Sequence, residues 1–149
     1  MKKIILALSF MAIAMISFSQ ENPVSWTYEA KKKTADTYEV TITASVGHPW
    51  HIYSQNTPDG GPIPTKFTFK ANPLLTKNGT LKELGKLEKR HDANFGVDVL
   101  SYSDKVQWVQ TVKVKGGVKT NLSGTIEYMV CDDSHCLPPT KKSFDVKLQ

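Results

Sequence analysis

The sequence predicts an all-β fold, a sandwich of two sheets, on three observations. Several segments alternate apolar and polar side chains with a period of two. Clusters of Gly, Pro and Asn punctuate those segments. No stretch carries a convincing helical period, and seven to nine short strands joined by turns can bury a shared core by stacking sheet on sheet.

The chain opens with Lys2 and Lys3 ahead of an almost continuously apolar run from Ile4 to Phe18. Ser17 and Ser19 are the small residues expected just before a cleavage point, so residues 1–19 read as a secretory leader and Gln20 as the new N-terminus. The apolar run is short of the ~20 residues of a comfortable membrane span. Cleavage leaves 130 residues, the size of one domain with a real core, and residues 20–149 are expected to form it as a soluble, exported monomer. The formal charge falls from +5 to +3 when Lys2 and Lys3 leave. The lysines are dispersed apart from the run Lys31–Lys33, which is too short for a nucleic-acid footprint and reads as a solvated face.

Four strands are written plainly. In residues 37–46, Tyr38, Val40, Ile42, Ala44 and Val46 point one way and polar residues the other. Residues 105–114 set Val106, Trp108, Val112 and Val114 inward, with Gln110 interrupting. Residues 122–130 align Leu122, Ile126, Tyr128 and Val130, and the last strand aligns Phe144, Val146 and Leu148. Shorter candidates are residues 25–30, 50–54, 65–70 and 97–102. Leu81–Leu87 has leucines at three-residue spacing, but Gly85 and its brevity favour extended or irregular structure.

The chemistry is concentrated in Cys131-Asp132-Asp133-Ser134-His135-Cys136-Leu137-Pro138-Pro139. Continued alternation puts Cys131 on the face opposite the core, which predicts a displayed sulfur. Asp132–His135 is a connection of hairpin length that would return Cys136 opposite Cys131. The two prolines cannot donate ladder hydrogen bonds and suggest an edge open to another protein.

Three uses of this pair stay open on the residues alone. A stabilising bridge across so small a loop contributes roughly 2 kcal/mol by the loop-closure relation, against nearly 5 for a loop of ~100 residues. A redox pair needs one accessible sulfur and a second to resolve the mixed disulfide. His135 beside Cys136 would favour its thiolate, whereas Asp132 and Asp133 would disfavour one at Cys131. A metal site would draw on Cys131, Cys136, His135 and Asp132 or Asp133, with Met129 and two thiolates suiting Cu(I), although no second ligand pair follows downstream.

The segment from Cys131 to Thr140 resembles the redox hairpin of the N-terminal periplasmic domain of the thiol:disulfide interchange protein DsbD, where two closely spaced cysteines precede a residue and Pro-Pro. Trp50-His51-Ile52-Tyr53 is similar to a strand of that family, and Gly61-Pro62-Ile63-Pro64-Thr65 to the segment leading into its next strand. The resemblance spans residues 24–148. It implies an immunoglobulin-like sandwich in the periplasm whose Cys131/Cys136 pair exchanges thiol and disulfide without organic cofactor or metal. It implies a membrane-embedded electron donor and periplasmic thioredoxin-like acceptors, met through mixed disulfides. It also implies an aromatic cap loop, matched here by His91–Gly96 with Phe95 as the cap aromatic, and a tyrosine near the cysteines, matched by Tyr53. The family's second cap aromatic is missing and Asn94 replaces an acid, so a smaller lid is expected.

Overall fold

The computed structural model describes residues 22–149, and the expected leader lies outside them. The elements are β1 (Val24–Lys32), β2 (Thr37–Val46), β3 (His51–Tyr53), β4 (Lys66–Phe69), β5 (Leu75–Gly85), β6 (Glu88–Asp92), β7 (Val97–Tyr102), β8 (Lys105–Val114), β9 (Thr120–Tyr128), β10 (Val130–Cys131) and β11 (Thr140–Leu148). Helical structure among the described residues is limited to a 3-10 turn at Lys115–Gly117. The strands form three antiparallel sheets, ordered β1-β2-β8-β5, β10-β3-β7-β6 and β11-β9-β4.

The first and third sheets face each other as the two layers of an immunoglobulin-like sandwich. Rings meet across the gap: Trp26 lies 5.1 Å from Tyr128, Phe67 5.1 Å from Trp108, and Tyr28 6.1 Å from Phe144. Each inward residue expected from alternation in β2, β8, β9 and β11 is buried. The core is therefore the direct product of period-two patterning.

Gln110 also points inward and is only 2 % exposed. A register shift in β5 between Asn78 and Lys82 disrupts the ladder beside it. The Gln110 amide donates to the carbonyls of Asn78, Gly79 and Thr111, at 3.4, 3.4 and 2.9 Å, so the apparent fault in the pattern satisfies backbone groups that the irregularity leaves unpaired.

Leu81–Leu87 is extended, as expected, with β5 running to Gly85. Strand β6 lies outside the strands that the sequence predicts. Its sequence Glu88-Lys89-Arg90-His91-Asp92 has no apolar residue, and hydrophobic alternation cannot register such a strand.

The second sheet positions the site. On one face, Ile52, Tyr102 and Val130 join the main core. Register places Cys131 opposite His51, Tyr53 opposite Ser101, Arg90 opposite Val99 and Asp92 opposite Val97. Because side chains alternate along each strand, all these residues share the other face.

Candidate functional site

Cys131 and Cys136 are joined by a disulfide across the hairpin that follows β9. The Leu137 N–H donates to the Val130 carbonyl at 2.9 Å, and the Asp132 N–H to the His135 carbonyl at 3.0 Å. The Asp132 carboxylate closes the turn by accepting from the N–H groups of Ser134 and His135, both at 2.7 Å. Those two bonds, His135 first, hold its carboxyl below the usual carboxylate range.

The expectation that Cys131 is displayed is corrected: it is fully buried, whereas Cys136 is partly exposed. The alternation itself holds, since Tyr128 and Val130 do face the main core. The error lies in equating the opposite face with solvent. At Met129 the chain leaves its pairing with β11 and joins β3, where that face is covered. Tyr53, Val99, Val97, Met129 and Cys136 pack with Cys131 in a second, smaller apolar cluster.

A polar chain runs beside this cluster. An Arg90 guanidinium N–H meets His51 Nδ1 at 3.2 Å, His51 Nε2 meets the Tyr53 hydroxyl at 3.1 Å, and that hydroxyl donates to Asp92. Arginine can only donate, so His51 Nδ1 accepts and Nε2 carries the proton. Every link then has one donor and one acceptor. Burial, aided by the Arg90 charge, holds His51 below its ordinary pKa and hence neutral. Burial would raise the Asp92 carboxyl, but donors from Tyr53, the Asn94 and Phe95 N–H groups and the nearby His51 outweigh it and hold it low. The Tyr53 hydroxyl is pushed far up, by burial first and then by Asp92.

The chain ends at the cysteine hairpin on one side and the cap turn on the other. Arg90 reaches the Asp133 carboxylate at 2.7 Å. Asp92 anchors the cap by accepting from the Asn94 and Phe95 N–H groups at 2.9 and 3.4 Å. The Asn94 amide then donates to the Asp132 carbonyl at 3.4 Å. A cleft of about 190 Å³ separates cap and hairpin, lined by His51, Arg90–Asn94, Asp132 and Asp133. A larger groove of about 770 Å³ lies between β4 and β5 and contains neither cysteine.

Tyr53, Asp132 and Asp133 thus belong to one connected site with the cysteine pair. Asp133 is engaged by Arg90 rather than left as a bare charge beside Cys131. His135 is exposed, turned toward Asp132 at 3.2 Å and edge-on to Trp50 at 5.1 Å. Phe95 is on the cap turn, with 38 % of its surface in solvent. Arg90, Asp92 and His51 complete the site beyond the residues that the sequence predicts for it. His51 carries a signal as a polar residue in an otherwise apolar segment, and Asp92 lies in the segment matched to the cap loop, whereas Arg90 carries none.

The comparisons agree with this architecture. The model of the family described as thiol:disulfide interchange protein DsbD, N-terminal, matches residues 18–148. The fold is similar to the N-terminal periplasmic domain of ScsB from Proteus mirabilis, with a TM-score of 0.63 and 14 % identity over 88 % of this chain and 49 % of that one. The chain therefore spans about half of that ScsB structure. It is also similar to the reduced DsbD N-terminal domain of Neisseria meningitidis, with a TM-score of 0.52 and 19 % identity over 81 % and 83 % of the two chains. The same meningococcal domain in complex with the PilB N-terminal domain gives a TM-score of 0.51 and 16 % identity, over 80 % of each chain. No curated protein matches the chain. With a family match over residues 18–148 and a disulfide-bonded cysteine pair within it, the chain belongs to the DsbD N-terminal family of thiol–disulfide exchange domains.

Proposed function

We propose that this domain carries reducing equivalents between envelope redox proteins, with Cys136 as the sulfur that meets the partner and Cys131 as the resolving sulfur. The observation that carries the assignment is the asymmetry of the pair, one sulfur residue buried and the other reachable. Exchange requires a thiolate to approach a disulfide sulfur along an open path, and Cys136 has the solvent exposure for it.

In the donating direction, the Cys136 thiolate attacks a partner disulfide and releases one partner thiolate. The Cys131 thiolate then attacks Cys136 Sγ in the mixed disulfide and expels the second. The domain is left as the Cys131–Cys136 disulfide, and the partner as a dithiol holding two electrons and two protons. Recharging runs the same steps backwards. Sulfur chemistry suffices, with no organic cofactor or metal.

A membrane-embedded donor and thioredoxin-like acceptors are the partners this reading calls for, with residues 1–19 directing export of the domain to the periplasm as a monomer. The meningococcal DsbD–PilB complex supports a folded protein as partner. In this scheme Phe95 gates access to the hairpin, Tyr53 holds the cap through Asp92, and His135 shapes the approach to Cys136.

The test is trapping in the envelope. Cys131→Ser is expected to accumulate a mixed disulfide through Cys136, and Cys136→Ser to accumulate far less. If neither variant traps a protein, the carrier reading fails, and a measured potential below about −300 mV would mark the bridge as structural instead.

A further inference from the structure

The run Lys31–Lys33 has no part in the redox site, and the fold gives it company. Three turns distant in sequence meet at the end of the sandwich away from the disulfide. The Val114 N–H donates to the Asp36 carbonyl at 2.7 Å, and the Lys115 N–H to the Leu74 carbonyl at 2.8 Å. Gly117 stands against the Ala35 carbonyl. The meeting brings exposed Lys115 and Lys119 to the end where Lys31, Lys32 and Lys33 leave β1.

The acids in these turns are already engaged. Asp36 pairs with Lys113 at 3.2 Å, and Glu39, beside the first turn, with Lys33 at 3.3 Å. Lys31, Lys32, Lys115 and Lys119 make no ion pair among the described residues. Two aliphatic side chains also stand in solvent here, Leu74 at 38 % and Val118 at 46 % exposed. Beside the lysines they give this pole a mixed cationic and apolar surface.

From this juxtaposition we propose that the pole docks on an anionic phospholipid surface. The lysines would lie at headgroup level and the tips of Leu74 and Val118 below it. Protein interfaces favour Arg and aromatic residues and disfavour Lys. This pole inverts that preference, and the chain's one arginine, Arg90, belongs to the redox site. Long lysine stems with mobile ammonium groups suit a fluid array of phosphates that offers no fixed shape. The proposal is independent of which cysteine reacts. It gives the domain a fixed attitude, because β2 spans ten residues from this pole toward the other end, about 30 Å at strand rise, and so holds the disulfide clear of the bilayer.

The experiment is co-sedimentation of the exported, leader-free protein with vesicles of phosphatidylglycerol and phosphatidylcholine, against phosphatidylcholine alone. Binding is expected only to the anionic vesicles and is expected to weaken as salt rises. A five-site variant with Lys31, Lys32, Lys33, Lys115 and Lys119 each changed to Gln should lose roughly 1,000-fold in partitioning while keeping its melting temperature. A control with Lys66, Lys141 and Lys142 changed to Gln should bind like the parent. Leu74→Ser with Val118→Ser should bind several-fold more weakly at fixed charge. Equal binding to neutral vesicles, no binding to anionic ones, or a five-site variant that binds like the parent each overturns the proposal.

Discussion

Cys131 and His51 are cross-strand partners, one at the end of β10 and the other at the start of β3, and both are buried. One half of the disulfide is thus fixed opposite an imidazole whose tautomer is set by Arg90. The same His51 leads through Tyr53 and Asp92 to the cap turn, so the hairpin and its cover are tied to a common set of hydrogen bonds.

Tyr53 is the link between His51 and Asp92. Tyr53→Phe keeps the ring but leaves the His51 Nε2–H without its acceptor and Asp92 without its hydroxyl donor. Each buried group left unsatisfied costs about 1–3 kcal/mol, so a loss of about 2–4 kcal/mol is expected in urea unfolding of the oxidised protein. Amide exchange at Asn94 and Phe95 should quicken as the cap loosens. A change below about 0.5 kcal/mol would show that the chain does not brace the fold.

The neutral His51 gives stability a pH dependence of known sign. Its folded pKa lies below the ordinary value of about 6.5, so in the window between the two the unfolded chain binds a proton that the folded chain refuses. Stability therefore falls as pH drops from about 6.5 toward the folded pKa, and is fully present only above about 6.5. His51→Gln keeps an acceptor for Arg90 and a donor for Tyr53 but cannot titrate, and should flatten this slope. A parent melting temperature that does not change between neutral pH and about pH 5 would contradict the assignment. Below about pH 4 a second loss is expected as the low carboxylates Asp92, Asp132, Asp36 and Asp98 take up protons.

Glu83, on β5 of the first sheet, ties that sheet to the segment that follows β3. Its carboxylate accepts from Trp108 Nε1 at 2.8 Å, the Gln55 N–H at 3.0 Å and the Ser54 hydroxyl at 2.5 Å. Trp108 is fully buried, so Glu83→Ala strands its indole N–H. A loss of about 2–4 kcal/mol is expected, together with a shift in tryptophan emission. Glu83→Gln, which keeps one acceptor oxygen, should recover part of it, and equal losses in the two variants would rule out the hydrogen-bond explanation.

The sandwich and the hairpin are legible in the sequence alone. Period-two burial is a local property, so Val40, Ile42, Trp108 and Ile126 announced their faces before any partner was known. The cysteine spacing and the prolines after it were equally local. What surrounds the cysteines was not, because the site face draws Arg90 and Asp92 from a strand without apolar residues, His51 and Tyr53 from a strand of three residues, and Cys131 from a strand of two. Their meeting depends on pairing register between segments distant in sequence, Ile52 with Tyr102 and His51 with Cys131, which no pattern along one segment encodes. Alternation told correctly which way Cys131 points. Only the tertiary structure decided what lies there, because a strand's second face becomes interior or surface according to what the rest of the chain lays over it.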